Sequence, residues 1–368
     1  MKRDSTKIGV GIIGASPNRG WALAAHIPAL QALPNYEIRA VSTSRRESAE
    51  KSAQTLGVAL AFDNHADLIA RPEIDLVLVA VQVAHHNELA KTALTAGKMV
   101  YCEWPLGRNL KESEEIASLA QQKGLKTVMG LQGRFAPAVM YLRDLVTDGY
   151  VGKLLGTHMM GSSPDAWGGT VEAAIASLAD VRNGATLLAI PAGHALEMLC
   201  FALGEFVDIS STLIARRGQT ITLPDNVTIP MTTPDQIAFS GTLENGALAS
   251  VRYHGGASKG PDFVWEINGT DGDIILTLEE GYANISELKI QGAQGKGGLE
   301  LLKVPGKYRL GPAGIAEAAV NVAALYVQFA RDLVEGTTLA PDFDAAVRRH
   351  RLIDAIERSN TMGLRQTL

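Results

Sequence analysis

The feature that most limits what this chain can fold into is a short aliphatic run that ends in a glycine turn. Ile8-Gly9-Val10-Gly11-Ile12-Ile13 runs directly into Gly14-Ala15-Ser16-Pro17-Asn18-Arg19-Gly20. A continuous apolar run of this length reads as a strand buried on both faces, as in a parallel sheet. A helix is expected next, over Trp21 to Leu33, with an apolar stripe at Leu23, Ile27 and Leu30 and a kink at Pro28. Strand, glycine turn and helix together aim backbone N–H groups and a positive helix end at an anion such as a pyrophosphate. Five residues separate Gly14 from Gly20, so the turn is larger than the usual G-x-G-x-x-G spacing.

The same rhythm continues. Strands are expected at Tyr36–Ser42, Ala61-Phe62, Ile74–Val81, Met99–Cys102 and Lys126–Leu131. Helices are expected between them at Glu47–Leu56, Asp67–Ala70, Ala84–Ala96 (stopped by Gly97) and Leu110–Lys123. Alternation of this kind means a parallel sheet with helices on both faces and right-handed crossovers. After about residue 134 the pattern changes. A helix over Pro137–Asp148 leads into strands at Leu154–Met160, Val207–Arg216, Asp235–Leu243, Ala247–His254, Phe263–Gly269, Asp273–Leu278 and Leu288–Ile290. Asn245-Gly246 marks a hairpin. A buried helix over Leu187–Leu203 is interrupted near Pro191, and Gly292–Gly298 reads as a flexible loop. Helices return at Ile315–Glu335 and Phe343–Ser359. The expected fold is thus an α/β Rossmann domain over residues 1–133, plus an α+β domain over 134–368 with an open, mainly antiparallel sheet. The C-terminal helices are candidates to pack back on the first domain. One face of such a sheet needs covering, which suggests a homodimer or homotetramer through it.

Several classes are disfavoured. A net charge of −5 with no basic block argues against direct nucleic-acid binding. No apolar run is long enough for a membrane span. The charged start, Met1-Lys2-Arg3-Asp4-Ser5-Thr6-Lys7, does not read as a leader. Cys102 and Cys200 form no pair or metal spacing and read as buried thiols in a reducing compartment, so a cytoplasmic protein is expected. No His, Asp or Glu set has zinc spacing.

The second strand bears on the cofactor. NAD sites usually place Asp or Glu at its end, for the ribose 2′-hydroxyl. Here Val41-Ser42-Thr43-Ser44-Arg45-Arg46 offers hydroxyls and two arginines, which suit a 2′-phosphate. NADP is therefore expected ahead of NAD, with a solvated helix start as the plain alternative for Arg45 and Arg46. The expected cofactor contacts are Gly14, Ser16, Asn18, Arg19, Gly20 and Trp21 at the turn, Ser42, Ser44 and Arg45 after the second strand, and Gln82 and His85 after the fourth.

Four segments carry a family resemblance: Gly11-Ile12-Ile13-Gly14, His26-Ile27-Pro28-Ala29-Leu30, Ala80-Val81-Gln82-Val83-Ala84-His85-His86, and Gly97-Lys98-Met99-Val100-Tyr101-Cys102-Glu103-Trp104-Pro105-Leu106. In this order the chain resembles the glucose-fructose oxidoreductase/inositol dehydrogenase/MocA family over nearly its whole length. That resemblance implies a Rossmann domain with an open-sheet domain, an NAD or NADP cofactor, and a small substrate such as a sugar or polyol derivative. The enlarged turn before Gly20-Trp21-Ala22, together with Glu103-Trp104, Leu131-Gln132-Gly133-Arg134 and Gly193-His194, is similar to the branch containing the fungal galactose-pathway repressor. In that branch the fold senses a dinucleotide and binds a protein.

The resemblance adds Glu103, Trp104 and Gln132 to the cofactor contacts. The family's usual motif is Glu-Lys-Pro, and Trp104 occupies the lysine position, where it can stack or donate one N–H but exchange no proton. A cis Trp104-Pro105 bond is a further expectation. The family's Asp-x-Gly-x-His motif corresponds to Leu188–Glu197, where the aspartate is lost and His194 is kept. His194 is then the candidate general acid or base, with Glu197 one turn on to orient it. Asp180 is a candidate either to cap that helix or to line the site. His86, Arg134 and Trp167 are weaker candidates; for His86 the plain reading is placement at a helix N-terminus. Catalytic hydride transfer is the leading reading, and a non-catalytic dinucleotide sensor that binds a regulatory protein is the alternative.

Overall fold

The computed structural model describes residues 7–368. The charged segment Met1–Thr6 lies outside them. The described chain divides into two compact units, one formed by the residues up to Gln132 with Leu310–Arg348, the other by Gly133–Arg309 with Arg349–Leu368.

The first unit holds a six-stranded parallel sheet of β1 (Ile8–Ile13), β2 (Tyr36–Ser42), β3 (Leu60–Phe62), β4 (Leu76–Val79), β5 (Met99–Glu103) and β6 (Thr127–Gly130). Their order is β3-β2-β1-β4-β5-β6. Neighbouring pairs are parallel throughout. The aliphatic runs are buried as double-sided strands require, with Val10, Ile12, Leu76, Val77, Leu78 and Val79 inaccessible to solvent. The kink expected at Pro28 takes a specific form. A π-helical turn, Ala22–His26, precedes the α-helix Ile27–Ala32. The proline then falls in the first turn of the α-helix, where its missing N–H costs nothing. The long helix Glu317–Glu335 also belongs to this unit.

The second unit contains β7 (Leu154–Ser163), β8 (Thr170–Glu172), β9 (Asp208–Ile214), β10 (Gln219–Leu223), β11 (Val227–Pro230), β12 (Gln236–Thr242), β13 (Leu248–Gly255), β14 (Phe263–Gly269), β15 (Gly272–Leu278), β16 (Lys289–Gln294), β17 (Glu300–Leu301) and β18 (Gln366–Thr367). The main sheet runs β17-β16-β15-β14-β7-β13-β12-β9-β18, and all its pairs are antiparallel except β13 with β7. The Asn245-Gly246 signal is the β12–β13 hairpin, with Gly246 at φ +85°. Two sequence expectations need correction. β8, β10 and β11 form a separate three-stranded sheet that periodicity did not disclose. Gly292 is a strand residue, not part of a loop. It sits where a Cβ would come within 2.7 Å of the Tyr150 hydroxyl, so the glycine permits close packing there. The interrupted helix is a π-helical turn over Leu188–Ala192, containing Pro191, followed by the α-helix Gly193–Leu203.

Candidate functional site

The glycine turn leaves β1 and is tied at once to the end of β2. The N–H groups of Gly14 and Ala15 both donate to the Ser42 carbonyl, at 2.9 and 3.3 Å. Gly14 has φ +99°, and a Cβ on it would collide with the Ala80 carbonyl and lie 2.8 Å from Val81 Cγ1. Glycine is therefore required twice over, by conformation and by the approach of the segment that follows β4. Gly20 also has a positive φ, +98°, but a Cβ there would meet nothing within 4 Å.

Above this turn lies a cavity of about 860 Å³, walled by residues of the first unit alone. Ser16, Asn18 and Arg19 come from the turn; Ser42, Thr43, Ser44 and Arg45 from the end of β2; Glu47, Ser48 and Lys51 from the helix Arg46–Leu56; Gln82, His85 and Glu88 from the segment after β4. Asp63 and His65 complete the wall. The side chains of Arg19, Arg45 and Lys51 have no protein partner among the described residues. Arg46 is committed elsewhere, pairing with Glu50 at 2.7 Å and donating to the Ala61 carbonyl at 3.0 Å. The two arginines thus divide, one facing the cavity and one bracing the helix start. Sequence reading missed Lys51, Ser48, Glu47, Asp63 and His65. Lys51 stands four residues after Glu47 on one helix, a spacing that would have placed both on one face.

The other expected cofactor contacts are not in this wall. Glu103 receives a hydrogen bond from His26 Nε2 at 3.0 Å. Trp104 is buried, and the Trp104-Pro105 bond is cis. Gln132 is buried with an unpartnered Oε1, and Trp21 has a buried Nε1 without a partner. His86, at the start of the helix His86–Thr95, is a tie between chain segments. Its Nδ1 lies 2.7 Å from the Pro105 carbonyl and its Nε2 3.1 Å from the Val81 carbonyl.

The three catalytic candidates belong to the second unit, and the structure revises each. His194 is 7% exposed, and its Nδ1 has no hydrogen-bond partner. Burial pushes its pKa down to about 3. The imidazole is therefore neutral at physiological pH and does not exchange protons there as an unperturbed histidine would. Glu197 does not orient it. Glu197 lies between two arginines, Arg134 and Arg349; the Arg349 Nε is 2.9 Å from Oε2. Arg349 also pairs with Glu205, and its Nη1 lies 2.7 Å from Cys200 Sγ. Arg134 stacks over Phe201, with its guanidinium 5.2 Å from the ring centre. This is a buried charge cluster that holds the unit together. Asp180 does not cap the helix that carries His194. It accepts from the Arg182 N–H at 3.0 Å to cap the short turn Val181–Asn183, and it pairs with the Arg182 guanidinium, which holds its carboxyl below the usual range. Trp167 is packed inside, donating to the Leu178 carbonyl at 3.0 Å. Among the described residues no group of three or more His, Cys, Asp or Glu could hold a metal, and no helix is long and apolar enough to cross a membrane.

A parallel sheet in the order 3-2-1-4-5-6, with a glycine turn and a cavity at its switch point, is the dinucleotide-binding arrangement. Residues 8–131 match the model of the oxidoreductase family with the NAD-binding Rossmann fold. The Rossmann part of the chain matches that family. Residues 137–278 match the C-terminal domain of Gal80p. The galactose/lactose metabolism regulatory protein GAL80 of Saccharomyces cerevisiae is 28% identical over 307 residues, spanning 77% of this chain and 70% of the regulator. A solved super-repressor mutant of Gal80p from that yeast has a TM-score of 0.87 at 24% identity, over 98% of each chain. The dehydrogenase aclE of Aspergillus oryzae is 35% identical over 212 residues, 56% of this chain and 57% of aclE. Levoglucosan dehydrogenase, solved with NADH and levoglucosan, has a TM-score of 0.86 at 21% identity, over 98% of this chain and 99% of that one. The chain is thus similar both to dehydrogenases and to a regulator.

Proposed function

We propose that this chain binds NADP(H), with NAD(H) as the weaker ligand, and acts as an oxidoreductase on a small carbonyl, carbinol or imine compound. The 860 Å³ cavity at the switch point of the parallel sheet carries this reading. Its wall fits a dinucleotide. Gly14 lets the turn pass close to the segment after β4, and Ser16, Asn18 and Arg19 line the cavity beside that turn, as a pyrophosphate site requires. Ser44, Arg45 and Lys51 offer a hydroxyl and two unpaired cations for a 2′-phosphate. Glu47 and Asp63 in the same wall are what would hold a 2′-hydroxyl, which keeps NAD as the competitor. A dinucleotide bound there would supply hydride-transfer chemistry. In the second unit His194 is neutral and its buried Nδ1 is unpartnered. Likeness to levoglucosan dehydrogenase puts sugars and polyols first among substrates.

A second reading has its own support. Trp104 cannot exchange a proton, burial keeps His194 neutral, and the C-terminal domain is of the Gal80p type. A non-catalytic dinucleotide sensor that binds a regulatory protein needs neither group. The test is absorbance at the reduced-nicotinamide band against sugars, polyols, keto acids and cyclic imines, after NADPH binding has been measured directly. Turnover of any of them sinks the sensor reading. Tight NADPH binding with no turnover sinks the oxidoreductase reading, and no binding sinks both.

A homodimer or homotetramer through the open sheet belongs to the same proposal. Along β7, β13 and β14 buried residues alternate with accessible ones such as His158, Arg252 and Glu266. Sedimentation measures the mass directly.

A further inference from the structure

The strand order β3-β2-β1-β4-β5-β6 is that of two mononucleotide-binding halves that meet at β1 and β4. The large cavity covers the ends of β1, β2 and β4. The ends of β5 and β6 are left for the nicotinamide half. Glu103 is the last residue of β5 and pairs in register with Gly130, the last of β6. The Glu103 carboxylate occupies the space of the missing Gly130 side chain. A Cβ at Gly130 would lie 2.7 Å from the carboxylate carbon.

That carboxylate is held from behind by a chain of buried polar groups. His26 Nε2 lies 3.0 Å from Glu103 Oε1, and the Tyr326 hydroxyl lies 2.9 Å from His26 Nδ1. The carboxylate accepts, so Nε2 carries the hydrogen, and Nδ1 is left to accept from Tyr326. Burial raises the Tyr326 pKa well above the ordinary tyrosine range, which keeps that hydroxyl a donor. Tyr101 and Trp21 pack edge-on to the imidazole at 5.0 and 6.5 Å. The His26 side chain is fully buried while Glu103 is 12% exposed, so Glu103 is the member of this chain that meets the surroundings. Buried polar chains are costly unless every member is paired. This one orients a single acid group at the sheet edge, and the next residue, Trp104, is uncharged.

We propose that Glu103 sets which redox form of the dinucleotide this protein holds, with His26 and Tyr326 as its positioning residues. The inference rests on the dinucleotide reading above. The oxidised nicotinamide ring carries a positive charge that the reduced ring lacks, and the rest of the molecule is common to both. A glutamate fixed at the sheet edge attracts the oxidised form and gains nothing from the reduced one.

Dissociation constants for NADP+, NADPH, NAD+ and NADH are measured by calorimetry on the full chain, on Glu103→Gln and on Tyr326→Phe. Glu103→Gln is expected to weaken the oxidised forms on the order of tenfold while the reduced forms move by less than about twofold. Tyr326→Phe moves the ratio the same way by a smaller factor. Partial unfolding lowers both affinities alike, so the ratio still reports in a destabilised variant. An unchanged ratio in Glu103→Gln, or equal loss for both forms, overturns the proposal. A wild-type chain that binds no dinucleotide overturns the dinucleotide reading, and this inference with it.

Discussion

His194 makes acid stability a direct test of how dry its surroundings are. Its pKa in the folded chain is about 3 because burial disfavours the imidazolium and no acid group compensates. In the unfolded chain it returns to about 6.5. Between these values the unfolded state binds the extra proton, so the group costs stability as pH falls below about 6.5 and the loss levels off near pH 3. At about pH 7 both states are largely neutral. At about pH 5 the unfolded imidazole is almost fully protonated and the folded one is not, which lowers stability by about 2 kcal/mol relative to pH 7. The perturbation is His194→Asn, which cannot titrate. Urea unfolding of both proteins at the two pH values gives a double difference in which all other titrating groups cancel. The wild type should lose about 2 kcal/mol more than the variant. Losses equal within about 0.5 kcal/mol would mean that His194 ionises normally in place. It would then return as an acid–base candidate, and the reasoning from its burial would be wrong.

Other outcomes follow from the same geometry. Gly14→Ala combines a positive-φ penalty with a Cβ driven into the Ala80 carbonyl and should cost about 3 kcal/mol or more. Gly20→Ala meets no neighbour and should cost only about 1 kcal/mol. Thermal melts of the two variants, with and without NADPH, check the order. Arg45→Ala with Lys51→Ala should weaken NADPH on the order of tenfold and NADH far less, since only the former has a 2′-phosphate for these cations. Equal weakening in calorimetric titrations would point to Glu47 or Asp63 and to NAD. Glu197→Gln leaves Arg134 and Arg349 facing a neutral group in a buried cluster and should destabilise by about 3–5 kcal/mol. NADPH affinity of the folded fraction should stay within about twofold, and a selective loss of cofactor binding would show the cluster doing more than holding the unit together.

How far a residue's role was legible depended on how far away its partners lie. The glycine turn, the loss of an acid at the end of β2 and the Asn245-Gly246 hairpin were readable because each is settled within a few residues. Arg45 and Arg46 were readable as a pair but not individually. Only the fold shows that Arg46 turns to Glu50 and the Ala61 carbonyl while Arg45 faces the cavity. The small sheet of β8, β10 and β11 escaped because β8 joins β10 from about 50 residues away, and its short strands carry no periodicity of their own.

The sequence by itself determined the dinucleotide-binding architecture. Alternating buried strands and helices around one glycine turn admit few other folds, and the signals for each element are local. Tertiary structure decided the chemistry of the candidate acids and bases. Glu197 was read as a partner for His194 because both lie on one helix, yet its charge is met by Arg134 and by Arg349. His194 was read as a proton carrier because an isolated imidazole titrates near neutrality, but burial removes that property. His26, Glu103 and Tyr326 meet across a separation of 300 residues. Ionisation and pairing depend on what surrounds a group in space, and the chain writes those surroundings far from the residue they control.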